Sequence, residues 1–183
     1  MKKILFTMTT LIMMALCVAS CGDDDNNTTN PEQPKHGDMM FQGTSVFNVE
    51  TTGYDDATQE GDKVYLTLSG AAKKQAEIVI PDLTYTMSGG GRSMTIKSFT
   101  ANSGKEYTMT GSFQTGDMAF EWAEGGFSTT TIGADGNEKT VTGTISAKYD
   151  HKAKKLVVSI TNFRYGNMPM TMRYDFEGEF VAQ

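Results

Sequence analysis

The chain is poor in the residues that most often carry chemistry. It has two cysteines, Cys17 and Cys21, both near its start, and two histidines, His36 and His151. No thiol lies beyond Cys21, so the long remainder cannot form a disulfide, a thiolate zinc site or a cysteine nucleophile. Positive charge is also scarce. Sixteen Lys and Arg stand against 22 Asp and Glu, a net charge of −6. A net acidic chain has no electrostatic footprint for nucleic acid. Lys152, Lys154 and Lys155 form the one basic cluster, between two strand-like runs, and read as a solvated turn. Helical spacing is missing too, since no window of about ten residues carries it.

What the chain does have begins at its first residues. Lys2 and Lys3 precede the mostly apolar run Ile4 to Val18, which ends in the small residues Ala19 and Ser20 before Cys21. Charged, then apolar, then small is the order of a secretory signal. The run is too short and too interrupted by Thr for a span of about 20 apolar residues. Val18-Ala19-Ser20-Cys21 resembles a bacterial lipobox, which implies diacylglycerol on the Cys21 thiol and cleavage just before it. Cys17 fits worse, because bulky Leu16 stands where a small residue is needed. Each buried acyl methylene contributes about 0.8 kcal/mol, so several chains make a stable anchor. Removing Lys2 and Lys3 with the signal would take the net charge from −6 to −8.

Residues 22–38 contain almost nothing apolar and cannot offset the entropy of ordering, so they read as a flexible stalk stiffened locally by Pro31 and Pro34. Its acidic opening, Gly22-Asp23-Asp24-Asp25, resembles the surface-export signal of lipoproteins in the Bacteroidetes. That resemblance implies an outer-membrane lipoprotein exposed at the cell surface, with a periplasm-facing position as the alternative. The expected organisation is a signal peptide over 1–20, a lipidated Cys21 and acidic stalk over 21–39, and one folded domain over 40–183.

From Met40 the pattern turns to a period of two. Val64, Leu66 and Leu68 alternate with polar neighbours, as do Tyr107, Met109, Gly111 and Phe113. So do Val141, Gly143, Ile145 and Ala147, and likewise Met170, Met172, Tyr174 and Phe176. Alternate side chains of a strand point to opposite faces, so each run predicts one apolar and one polar face. Thr is abundant on the polar side and suits a pleated surface. Glu60-Gly61-Asp62, Pro81-Asp82, Gly89-Gly90-Gly91, Glu124-Gly125-Gly126 and Asp135-Gly136-Asn137 read as turns between runs. The prediction is an all-β, antiparallel meander. Closure into a barrel would remove its edges, and Gly43, Gly70, Gly111, Gly143 and Gly178 on apolar faces would permit sharp bends or close backbone approach. A β-sandwich is the alternative.

Several segments carry a resemblance: Phe41-Gln42-Gly43-Thr44, Ile80-Pro81-Asp82-Leu83 to Met87, Met94-Thr95-Ile96, Val141-Thr142-Gly143, Lys155 to Ile160, and Tyr174-Asp175-Phe176-Glu177-Gly178. Together they look like the calycin-like β-barrel lipoproteins of Bacteroides and related bacteria. The shared positions are glycines and apolar residues. They imply a calycin-type barrel and no particular activity.

Chemical motifs are thin. His151 follows Tyr149-Asp150 at an expected turn with no nucleophile motif nearby. Glu121 and Glu124 flank Trp122 as acids do in sugar sites, but Glu121 falls on the polar face if Trp122 points inward. Met168-Pro169-Met170-Thr171-Met172 could offer soft sulfurs to Cu(I), yet the same alternation of Met87, Met94, Met109 and Met118 elsewhere favours plain interior filling. Asp135 to Glu138 lacks the alternating oxygens of a calcium loop. Gly89-Gly90-Gly91-Arg92 is not followed by the Lys-Ser or Lys-Thr of a phosphate loop. The expectation is therefore a non-enzymatic protein with no catalytic residue, metal or cofactor.

A barrel of about eight strands is either just filled by side chains or holds one small ligand. The leading expectation is a small apolar or amphipathic ligand lined by Leu66, Leu68, Tyr107, Met109, Phe113, Met170, Met172, Tyr174 and Phe176. The alternative is a solid barrel that contacts host or envelope proteins through its surface. The expected partners are the membrane, through the lipid, and this ligand, but not nucleic acid; no protein partner is named by the sequence.

Overall fold

Two-residue alternation becomes strand wherever both faces of the pleat have something to do: apolar side chains to bury and Thr, Ser or charge to leave in water. The computed structural model describes residues 39–50, 55–69, 74–86, 93–112 and 114–182, and among them there is no helix. The strands in chain order are β1 (Met39–Val49), β2 (Ala57–Leu68), β3 (Ala76–Ile80), β4 (Leu83–Thr86), β5 (Ser93–Ile96), β6 (Phe99–Ala101), β7 (Tyr107–Thr110), β8 (Ala119–Ile132), β9 (Glu138–Asp150), β10 (Lys155–Tyr165) and β11 (Met172–Val181). The all-β, antiparallel reading holds.

Nine strands form one antiparallel sheet in the order β6-β3-β2-β1-β11-β10-β9-β8-β7, and β4 and β5 form a separate hairpin. The sheet curls strongly into a half-barrel, and its two ends are drawn together. β7 pairs with the first part of β8, Tyr107 opposite Trp122 and Thr110 opposite Ala119. β6 lies along the later part of the same strand. There the Phe99 and Phe127 rings stack at 6.1 Å and Thr131 Oγ1 donates to the Ser98 carbonyl at 2.7 Å. β6 and β7 run in the same direction and occupy successive lengths of one position between β3 and β8. On the β3 side, Tyr107 N donates to the Lys74 carbonyl at 2.7 Å. Counting the two as one interrupted strand leaves eight positions around the curl. An even number is what an antiparallel meander needs to come round on itself. The ends meet by side-chain packing and isolated hydrogen bonds, not by a continuous ladder.

Three stretches differ from the sequence reading. Glu60-Gly61-Asp62, expected to be a turn, lies within β2, where the β1–β2 ladder continues through a bulge at Gly43/Thr44. Glu124-Gly125-Gly126, expected to be a turn, lies within β8, and the ladder continues through a bulge between Trp122 and Gly125. The glycine is needed there for proximity: a Cβ on Gly125 would stand 2.0 Å from the Ser103 carbonyl oxygen. The run expected from Tyr107 to Phe113 stops at Thr110, because Gly111 turns the chain with φ of 70°.

The curl has two distinguishable ends. β1 enters at Met39, beside Val181 of β11 and Leu66 of β2, and this end also carries the turn 151–154. The opposite end is covered by the β4–β5 hairpin. Leu83, Tyr85 and Ile96 of the hairpin are buried, the Tyr85 ring meets Phe47 edge-on at 5.7 Å, and the Tyr85 hydroxyl donates to the Asp55 carbonyl at 2.9 Å.

Candidate functional site

A ligand site inside the curl would have to be built from the inward face, and that face is occupied by its own side chains. β11 places Met172, Tyr174 and Phe176 inward and almost wholly buried, and Leu66 of β2 joins them. Toward the hairpin end, Phe47, Phe163, Phe99 and Phe127 follow one another in ring contact at 5.4 to 6.1 Å. Toward the entry end, Phe41, Tyr149, Phe120, Trp122 and Tyr107 do the same, from 5.1 to 6.5 Å. Edge-on and offset ring pairs at these separations add to the burial term. A pocket between β3, β6, β8 and β9, walled by Ile78, Ala101, Trp122 and Ile145, holds about 10 Å³. That is the room of a single water molecule, whereas ligand pockets run to ~300 Å³ and more.

The remaining residues expected to line a ligand are placed unequally. Leu68, Tyr107 and Met170 are half-buried and pack against the core. Met170 precedes β11, which starts at Met172, two residues later than the alternation predicts. Met109 is 56% exposed. It stands opposite Phe120, on the inward face, but β7 is the end of the sheet and no further strand covers it. Its thioether is on the predicted side and lacks the predicted cover. Phe113 and Cys21 lie outside the described residues.

The inward face also carries a polar group that the alternation pattern hides. The bulge of the β1–β2 ladder at Gly43/Thr44 leaves Asp62 opposite Gly43, facing inward. Ser45, 1% exposed, donates to the Asp62 carboxylate, and Tyr174 lies beside the pair. Burial pushes the Asp62 carboxyl above its ordinary pKa, and the Ser45 hydrogen bond pulls the other way. Burial holds the Tyr174 hydroxyl well above the usual phenol range, helped by the Asp62 charge. Both shifts express one cost, that of bringing charge into a region of low dielectric. The group is one acceptor and one committed donor, and the Tyr174 hydroxyl beside them is buried without a hydrogen-bond partner among the described residues. No nucleophile is activated by it.

The residues weighed for catalysis do not converge. Glu121 is exposed on the outer face opposite Lys148, while Trp122 points inward, so the acid and the indole are on opposite sides of β8. His151 lies in the entry-end turn, where its Nδ1 is 3.1 Å from the Tyr149 hydroxyl. Met172 belongs to the apolar core, and Met168 and Met170 both pack against it.

The outer face is where the sequence's Thr collects. The β8–β9 ladder sets Thr130 opposite Thr140, Ser128 opposite Thr142 and Gly126 opposite Thr144, and β10 adds Thr161 beside Thr144 and Ser159 beside Ser146. Neighbouring strands are about 4.8 Å apart, so these hydroxyls form a regular field across three strands, with exposed Arg164 standing opposite Thr142. Comparison with protein-family models, with characterised proteins and with solved structures finds no match to this chain.

Proposed function

We propose that this chain is a lipid-anchored lipoprotein of the bacterial cell envelope, held at the outer membrane through Cys21, whose barrel works as an interaction module through its outside. The observation that carries the reading is the packing of the described inward face, where Tyr174, Phe176, Phe41, Phe47, Phe99 and Phe163 are fully buried and the pocket beside Trp122 and Ile145 holds about 10 Å³. The resemblance to calycin-like lipoproteins bears on the barrel and the address, while the choice between holding a ligand and presenting a surface rests on packing.

The field of hydroxyls on β8, β9 and β10 is the surface best suited to a partner, because most of its groups are hydroxyls, which cost less to desolvate on contact than charges do. Crosslinking on intact cells tests the proposal. Recovery of a protein partner, lost when Thr142 and Thr144 are changed to Lys, supports it. No partner, together with a small apolar molecule retained by the purified protein, would contradict it. The tether is tested separately: Cys21→Ala should release the protein from membrane fractions and abolish labelling by a palmitate analogue. Attachment and labelling that both persist would place the tether elsewhere.

A further inference from the structure

The seam where β6 gives way to β7 holds a buried donor with nothing to give to. Trp122 is 3% exposed, and its Nε1–H has no hydrogen-bond partner among the described residues. A donor left unpaired in the interior forfeits the bond it makes with water when unfolded, so buried polar groups are as a rule paired with protein or with ordered water. The ring neighbours of the indole supply packing and no oxygen acceptor. Tyr107 meets it edge-on at 5.7 Å between centroids and Phe120 stacks at 6.5 Å. Trp122 is also a wall of the pocket between β3, β6, β8 and β9. Ile78, Ala101, Ile145 and Ala147 reach that pocket with inward side chains, so the part of Trp122 that reaches it is the indole.

Two polar residues complete the wall. Ser103 is 8% exposed, accepts the Lys105 N–H on its Oγ at 3.2 Å and still has a hydroxyl hydrogen to donate. Ser146 lies between inward Ile145 and Ala147, so its side chain faces out and it reaches the pocket through its backbone. It stands where β8 bulges between Trp122 and Gly125, and a bulge interrupts the regular rungs of the ladder. The volume, about 10 Å³, is that of one water. We infer that a single water molecule is a built part of the fold here, accepting from the Trp122 Nε1–H and from the Ser103 hydroxyl beneath the β8 bulge. Those two donors are within the roughly two to four polar partners that a buried water takes. The water joins β8 to residues 102–106, the connection between β6 and β7, where the ends of the curl meet without a continuous ladder. It stands apart from the tether and from whatever the outer face contacts.

Trp122 is the chain's one tryptophan, so its indole N–H gives a single resonance in the isotope-labelled protein. Water-selective NOE and ROE spectra test the inference on that proton. A cross-peak to water of opposite sign in the two spectra is expected, the mark of a water that outlasts the tumbling of the protein. The indole N–H stretching band should also lie below that of indole in an apolar solvent, as hydrogen bonding requires. Ala147→Val adds two methyl groups at the pocket wall and should expel the water: the cross-peak is lost and the band moves to the free position. Persistence of both in that variant would place the water elsewhere and overturn the inference. The native spectra decide by themselves if the variant does not fold. Absence of the cross-peak overturns the inference and leaves the indole donating to the Tyr107 ring. A cross-peak of the same sign in both spectra overturns it too, since that is proton exchange at an indole open to solvent. A cross-peak with the band at the free position has the same meaning, because magnetisation is then relayed through a nearby hydroxyl.

Discussion

Asp62 is the residue at which period-two reading and structure part company. The sequence reads Asp62 as part of a turn ahead of Val64, whereas β2 runs through it and its carboxylate faces inward. The bulge at Gly43/Thr44, a hydrogen bond from buried Ser45 and partial access to water together make it tolerable. Its pKa is higher in the folded chain than in the unfolded one, so the folded state binds the extra proton. Stability contributed by the protonated form is complete at acid pH and is lost as pH rises through the folded pKa. Asp62→Asn keeps an acceptor for Ser45 and removes the charge. It should raise Tm by about 1–2 °C at neutral pH, screening by solvent keeping the effect small. The gain should fade as pH is lowered through the folded pKa of Asp62 and the native carboxyl takes up its proton; thermal melts of both chains from neutral to acid pH check this. Asp135 behaves in the opposite sense. Lys139 and the Asn137 backbone hold its carboxyl well below the usual range, so whatever it contributes is present above the unfolded pKa and lost as pH falls.

The strands were largely legible as elements, because a face that must be buried fixes alternation and therefore register. β9, Glu138–Asp150, contains the whole alternating run from Val141 to Ala147, and the β9–β10 turn falls at residues 151–154, where the basic cluster marked it. What alternation could not show was the difference between a glycine that turns the chain and one that lets two backbones touch. Gly125 is of the second kind, and so is Gly43, where a Cβ would stand 2.0 Å from the Glu177 carbonyl oxygen of the neighbouring strand. Backbone cannot move aside as a flexible side chain can. Gly43→Ala and Gly125→Ala should each cost about 2–3 kcal/mol, in the range of severe overpacking. Gly126→Ala has only one atom, a carbonyl oxygen at 4.0 Å, near the added methyl and should be close to neutral. Denaturant midpoints at constant slope would separate the three. A uniform response would mean that the strands are not seated as described.

Whole-molecule behaviour follows from how the ends of the sheet are joined. β6 and β7 are three and four residues long, and short edge strands offer little template for pairing with another chain. Their join to the rest depends on packing, with Phe99 against Phe127 and Tyr107 against Phe120 and Trp122. Phe127→Ala should therefore cost about 3–5 kcal/mol and raise amide exchange first in β6, while the β1–β11 ladder stays protected. Simultaneous loss of protection in both would show that the junction is no weaker than the rest. The same close packing bears on function, since the aromatic rings on the inward face of the half-barrel leave a pocket of only about 10 Å³ among the described residues between β3, β6, β8 and β9. Native mass spectrometry of the protein purified from its own envelope is the most direct measurement of that claim. The account predicts the mass of the lipidated chain alone and no binding of a fluorescent fatty acid; a stoichiometric apolar adduct, displaced by that fatty acid, would contradict it.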